Sequence, residues 1–198
     1  MRQLSSSTEL GGARLINVDA SQEQLEACHG DLARVCCSAL ELERSHLIAD
    51  GTLTVISRSV LHYFGREGQP LFLAKVRSLL RPGEVFVHQP ACFATAPIAA
   101  CMNELYPLMG VDKAYFTPSE LEDLHRQAGF EVVSAEWAPP LDLRSEDLAA
   151  RYRLGRERVD QMVDVMRRYG LDRDGIAEIS PGRFRTAFTY RILVLRAR

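Results

Sequence analysis

Lysine is nearly missing from this chain: it occurs only at positions 75 and 113 of 198 residues, and arginine carries almost all the remaining positive charge. With a formal net charge of -2 there is no basic field to attract nucleic acid. The arginine bias reads as GC-rich coding rather than phosphate recognition. No run approaches the ~18 apolar residues of a membrane span, and the opening MRQLSSSTELGG has no apolar core of signal-peptide length. The expectation is a soluble, cytoplasmic protein. The five cysteines (28, 36, 37, 92 and 101) are odd in number and show no CxxC spacing, which argues against a disulfide framework and against a zinc site. Cys36, Cys37 and Cys92 lie in apolar runs and are expected as small, reduced core residues.

What is present is ordinary globular material: 46% apolar and 25% charged residues, in a length that suits one well-buried α/β domain. Residues 13–21, ARLINVDAS, organise the rest. Leu15, Ile16 and Val18 form a short apolar run that ends in Asp19, and Ser21 is a good helix N-cap. The pattern is a buried parallel strand that delivers a carboxylate to the sheet edge where ligands of open α/β folds sit. Leu25, Cys28 and Leu32 recur at helical spacing and predict a helix over 23–33. VCCSALEL (35–42) predicts a second strand. The run 47–57, with LTVIS at its heart, predicts a third, covered on both faces.

SVLHYF (59–64) reads as a short helical turn, followed by a glycine-containing break and a helix through Leu71, Leu73, Val76, Leu79 and Leu80. Arg81-Pro82-Gly83 stops it, and EVFVHQP is the fourth strand. Residues 91–116 are mixed, and a helix over the strand edge fits them. Thr117-Pro118-Ser119-Glu120 is a capping box with proline at the first helical position, opening a helix that ends at Gly129. FEVVSAEW is a fifth strand. Residues 139–183 leave the alternating pattern for helix, starting at Ser145 and interrupted near Gly155. The alternation from Phe184 to Leu195 makes FRTAFTYRILVLRAR one final strand. Strands alternating with helices imply a largely parallel sheet.

Five segments in this order resemble a class I S-adenosylmethionine-dependent methyltransferase of the small-molecule type, from its second strand onward: INVDAS, CCSALEL, ISRSVLHYF, the LRPG turn, and FTPSELEDLHRQAGFEVVSAEW. The likeness covers residues 13–137 and the last strand. It implies a Rossmann-like, mostly parallel sheet with an antiparallel last strand, N-terminally truncated, and with a helical insertion before that strand. The α/β core would be 13–137 with 184–198, and 91–116 and 139–183 would be lid or acceptor-side elements of the same domain. Two parts of the family's pattern are absent ahead of Asp19: the first strand and the glycine-rich loop, which lets backbone N–H groups approach the ligand closely. Gly11-Gly12 has no apolar strand before it. MRQLSSSTEL reads as the remnant of the helix that follows such a loop. Either residues 13–18 pair directly with LTVIS, or another chain fills the gap, or the sequence is a truncated version of a longer protein.

By this resemblance S-adenosylmethionine is the cofactor. Asp19, with Ala20 beside it, would accept from the ribose; Ser38 and Ala39 would lie near the adenine, Ser38 standing where the family usually has Asp. Ser57 and Arg58 would face the methionine part or the acceptor. His62 and His88 could each reach the same edge as a base near neutral pH. Tyr106, Met109, Tyr115 and Phe116 would form an apolar wall for a small acceptor molecule, or else pack as core. His29, His46 and His125 fall on positions expected to face solvent. Methyl transfer is an in-line displacement that depends on positioning, so neither a triad nor a metal is required. A catalytically inactive methyltransferase-like partner protein is the alternative. A nicotinamide oxidoreductase fits poorly, since its G-x-G-x-x-G fingerprint is equally absent. A second copy or a partner chain covering the missing strand is the expected protein contact.

Overall fold

A computed structural model describes residues 12–30 and 32–198. The reading of residues 1–10 as a helix remnant lies outside these residues. The strand expected around Asp19 is β1 (Ile16–Asp19), which leads through the cap Ser21 into a single helical turn, α1 (Gln22–Glu26). That helix is far shorter than the periodicity predicts. Leu25 is its one buried residue, and the chain leaves the helix after Glu26, so the half-buried Cys28 and Leu32 lie beyond it. The second strand, β2 (Ala33–Cys36), pairs with β1 in parallel, Asp19 opposite Cys36. It ends well before Leu42, and α2 (Arg44–Leu47) occupies the start of the stretch read as a third strand.

The main sheet has four strands in the order β3-β4-β9-β5. Strand β3 (Thr54–Arg58) runs parallel to β4 (Val85–Gln89); β9 (Arg191–Ala197) lies antiparallel to both β4 and β5 (Phe130–Trp137). This is the mostly parallel arrangement with an antiparallel last strand that the sequence implies. Its start is held by a buried ion pair. Glu84 takes both Arg44 terminal nitrogens, at 2.7 and 2.8 Å, and also accepts from the Leu53 and Arg81 N–H groups.

One face of this sheet carries Phe86, His88, Leu193, Leu195 and Phe130, all buried under α3 (Gly65–Leu79) and α5 (Pro118–Gln127). The helix α3 has no break: a 3-10 turn at Leu61–Phe64 passes directly into it through Gly65, and Pro70 is accommodated inside. Gly65 has φ +60°, and a side chain there would come within 3.2 Å of the Asp112 carboxylate, so both backbone and space call for glycine. The Thr117 cap of α5 closes as predicted, accepting from the Glu120 N–H while the Glu120 carboxylate accepts from the Thr117 N–H.

The other face is open. Ile56, in the middle of β3, is 60% exposed, and Val87 beside it on β4 is only half-buried. Among the described residues β1 and β2 pair only with each other, so the direct pairing of 13–18 with LTVIS does not occur, and β3 bonds along one edge alone. The described residues thus supply no strand on the free edge of β3, where the expected order has its first strand.

The segment 139–183 is not wholly helical. It begins with β6 (Leu141–Arg144), continues through α6 (Ser145–Tyr152) and α7 (Arg156–Arg168), and ends in β7 (Ala177–Ser180). The single last strand of the sequence reading is two strands: β8 (Arg183–Phe188) joins β6 and β7 in a separate antiparallel sheet of order β6-β8-β7, while β9 enters the main sheet. The inward parity records the break, with Phe184, Thr186, Phe188 and Tyr190 buried, then Leu193, Leu195 and Ala197. A second apolar cluster unites this small sheet with α7, with α4 (Ala96–Leu105) and with the 3-10 turn Tyr106–Met109. No helix among the described residues is long and apolar enough to cross a membrane.

Candidate functional site

The carboxyl ends of β1, β3 and β4 set the geometry. Asp19 ends β1, exposed, with Oδ1 accepting from the Ser21 N–H at 2.8 Å. It therefore serves the entry to α1 through one oxygen, while Oδ2 has no hydrogen bond among the described residues. Ala20 is exposed beside it. Ser38 and Ala39 follow the end of β2, half-buried, the Ser38 hydroxyl accepting from the Leu40 N–H at 3.3 Å. Cys36 is exposed at that end, contrary to its expected burial, whereas Cys92 and Cys101 are in the core; all five thiols are free. No group of three or more His, Cys, Asp or Glu side chains arranged to hold a metal occurs among the described residues.

At the end of β3, Arg58 is exposed and Ser57 turns inward toward the covered face, with its hydroxyl buried and unpartnered. The next residue, Ser59, takes φ +56°, a conformation that non-glycine residues adopt at a cost. Its N–H donates to Gln89 O at 3.0 Å, which ties the end of β3 to the end of β4. The turn then delivers His62, 5% exposed, onto the 3-10 segment.

His88 lies opposite Ser57 in the β3–β4 register and is fully buried, stacked on Phe86. Its Nδ1 sits 2.9 Å from His125 Nε2, and His125 Nδ1 contacts the Leu121 carbonyl. A carbonyl only accepts, so His125 carries its proton on Nδ1. His88 then donates from Nδ1, and its Nε2 is a bare acceptor with no partner. Among the described residues His62 Nδ1 has no partner either. Burial pushes His88 well below the usual imidazole range, with the neighbouring His125 and His62 adding to it. Burial likewise lowers His125 to about 4, and burial with the Lys113 and Arg151 charges lowers His62 to about 3. All three are neutral imidazoles at pH 7. His125 is thus a core residue, not the solvent-facing one its helix position suggests; His29 and His46 are exposed.

The structure groups the four wall residues only in part. Tyr106, Met109 and Tyr115 share the second apolar cluster, with the Tyr106 and Tyr115 rings 5.0 Å apart. Phe116 packs on the main core instead and stacks under the Arg66 guanidinium at 4.7 Å. Burial pushes the Tyr106 phenol up to about 12 and the Tyr115 phenol higher still. Sequence reasoning missed Lys113, Tyr63 and Tyr152, which adjoin this wall. Lys113 is 6% exposed, hydrogen-bonded to Tyr152 Oη at 3.1 Å. A surface hollow of about 510 Å³, lined by Arg144, Arg183, Arg185 and Glu178, belongs to the small sheet and not to these strand ends.

The sequence matches no protein-family model and no curated protein. The structure matches many solved ones. A candidate methyltransferase from Bacillus halodurans C-125 superposes with TM-score 0.75 at 14% identity, over 93% of this chain and 83% of that one. The YcgJ protein of Bacillus subtilis gives 0.68 at 15% identity, with the same two coverages of 93% and 83%. The 1,6-didemethyltoxoflavin-N1-methyltransferase of Burkholderia thailandensis, solved with bound 1,6-didemethyltoxoflavin and S-adenosylhomocysteine, gives 0.51 at 17% identity, over 94% of this chain and 62% of that one. At such identities the likeness speaks for architecture, and the parallel pair β1-β2 with the four-strand order β3-β4-β9-β5 agrees with it: the chain has the fold of the class I S-adenosylmethionine-dependent methyltransferases.

Proposed function

We propose that this chain is an S-adenosylmethionine-dependent methyltransferase that acts on a small metabolite. The observation that carries the reading is Asp19, exposed at the carboxyl end of β1 with one carboxylate oxygen that has no hydrogen bond among the described residues, in a fold whose solved neighbours include an enzyme holding S-adenosylhomocysteine. Asp19 would hold the ribose, Ser38 and Ala39 the adenine side, and Ser57 and Arg58 the region where β3 ends. The cofactor supplies an electrophilic methyl on sulfur. The chain's part is to orient the acceptor and to exclude water, with the turn 57–62 and the segment 106–116 as the walls. His62 Nδ1, neutral and unpartnered, is the candidate to take the acceptor proton. His88, opposite Ser57 in the register of β3 and β4, is fully buried.

The open face of the main sheet and the free edge of β3 support a second element of the reading. A parallel strand with its helix, supplied by a partner chain or a second copy, would pair between β1 and β3 and cover Ile56. The same observation favours the alternative of a catalytically silent methyltransferase-like protein whose pocket lacks one wall. Titration with S-adenosylhomocysteine separates the two: saturable binding supports the enzyme, and no heat and no thermal shift at millimolar ligand removes it.

A further inference from the structure

Lys113 is buried without a carboxylate. Among the described residues no salt bridge reaches it, and its neighbours are three tyrosines: Nζ lies 4.4 Å from the centre of the Tyr63 ring, 4.8 Å from that of Tyr106 and 5.7 Å from that of Tyr152. An ammonium has three donors, and here one meets an oxygen, Tyr152 Oη. The ring faces and a weaker polar contact with the Tyr63 side chain offset part of the cost of burying the charge, yet among the described residues Tyr152 Oη is the one oxygen at full hydrogen-bond distance and no anion faces the ammonium. Burial lowers the proton affinity of Lys113, Tyr63 opposes this, and Arg151 lowers it further. Arg151 itself is exposed, over the Tyr152 ring at 5.6 Å, so the outer side of the cage is positive too.

The lysine is also held in place. Asn103 makes both hydrogen bonds to the Tyr115 backbone, at 2.7 and 2.9 Å. Gln69 donates to Ala114 O at 2.7 Å, and the Ala114 N–H donates to His62 O at 3.2 Å. The segment 113–115 is therefore fixed from α4, from α3 and from the turn that carries His62. Tyr63, 56% exposed, is the outer wall; its rotation would bring Lys113 to the surface next to His62.

We propose that Lys113, in its cage of Tyr63, Tyr106 and Tyr152, is the recognition group for the carboxylate of a small planar acceptor. A carboxylate supplies the charged acceptor that this tyrosine cage lacks, and flat rings suit a conjugated body beside it. The inference deepens the methyl-transfer reading and rests on it for the word acceptor; anion binding stands by itself. The chain's two lysines make the test direct. In protein labelled with [ε-13C]lysine, benzoate should move the Lys113 resonance along a saturable curve and leave that of Lys75, which is paired with Glu43, in place. Benzamide, the neutral isostere, should move neither. Lys113→Met should weaken benzoate binding at least tenfold in a thermal-shift titration, and Lys113→Arg should retain most of it. A Lys113 resonance that ignores benzoate, or follows benzamide equally, overturns the proposal. S-adenosylhomocysteine is titrated in parallel: cofactor binding with a silent Lys113 sinks the anion site alone, whereas benzoate binding without cofactor binding sinks the methyl-transfer reading and keeps the site.

Discussion

His88 and His125 face each other through Nδ1 and Nε2 at 2.9 Å, both 0% exposed, in the core between β4 and α5. With His62 they form a set of three imidazoles kept neutral by burial, their proton affinities below the unfolded value. The unfolded chain therefore binds more protons than the folded one below pH ~6.5, and stability rises with pH through that window. Between pH 7.5 and 5.5 each such group accounts for about 1.4 kcal/mol of lost stability. Urea denaturation at the two pH values should show a lower midpoint at pH 5.5, and His125→Asn should reduce the difference. Equal midpoints would contradict the burial of these rings.

Glu84 works in the opposite chemical sense. Hydrogen bonds from Arg44 lower its carboxyl to about 2, against burial that raises it. The stability it confers is present above pH ~4.5 and is lost as pH falls toward 2. Replacing one partner leaves the other charge poorly solvated, so Glu84→Gln or Arg44→Ala should cost about 2–3 kcal/mol at pH 7 by chemical denaturation. The double variant should cost less than the sum of the two.

Ile56 tests the open face. At 60% exposure it adds little to the fold of the isolated chain, so Ile56→Lys should change its unfolding free energy by no more than about 0.5 kcal/mol. If the face is covered in an assembly, the same change should shift sedimentation toward the monomer, where wild type associates with rising concentration.

Much of the strand framework was legible because each strand carries its own signal. INVD, TVISR, VFVHQ and FEVVSAEW all became strands, and the Thr117 capping box opened α5 where the sequence placed it. What escaped was information held in tertiary contacts. Strands β6 and β7 are four residues each, too short for a period to show beside the longer helices. The split at Thr189-Tyr190 left a trace in the parity of the buried residues, which a search for one alternating run overlooks. His125 lies on a charged-looking helix, and only the packing of α5 on β5 reveals that its ring is inside. Lys113 belongs to no motif; the available signal was its rarity, one of two lysines, set among Tyr106, Tyr115 and Phe116.

Asp19 combines two roles that substitution can part. Asp19→Asn keeps an oxygen for the Ser21 N–H and should leave stability within about 0.5 kcal/mol of wild type, while Asp19→Ala leaves that N–H of the cap residue without its acceptor and should cost about 1 kcal/mol. If the carboxylate holds the ribose, both variants should bind S-adenosylhomocysteine more weakly, by roughly 1–3 kcal/mol. Unchanged affinity in both removes Asp19 from the site.

The methyl-transfer reading depends most directly on calorimetric titration of the purified 198-residue chain with S-adenosylhomocysteine. Saturable binding at one site per chain, weakened in Asp19→Asn, is the predicted result. Absence of both heat and thermal stabilisation at millimolar ligand would contradict it.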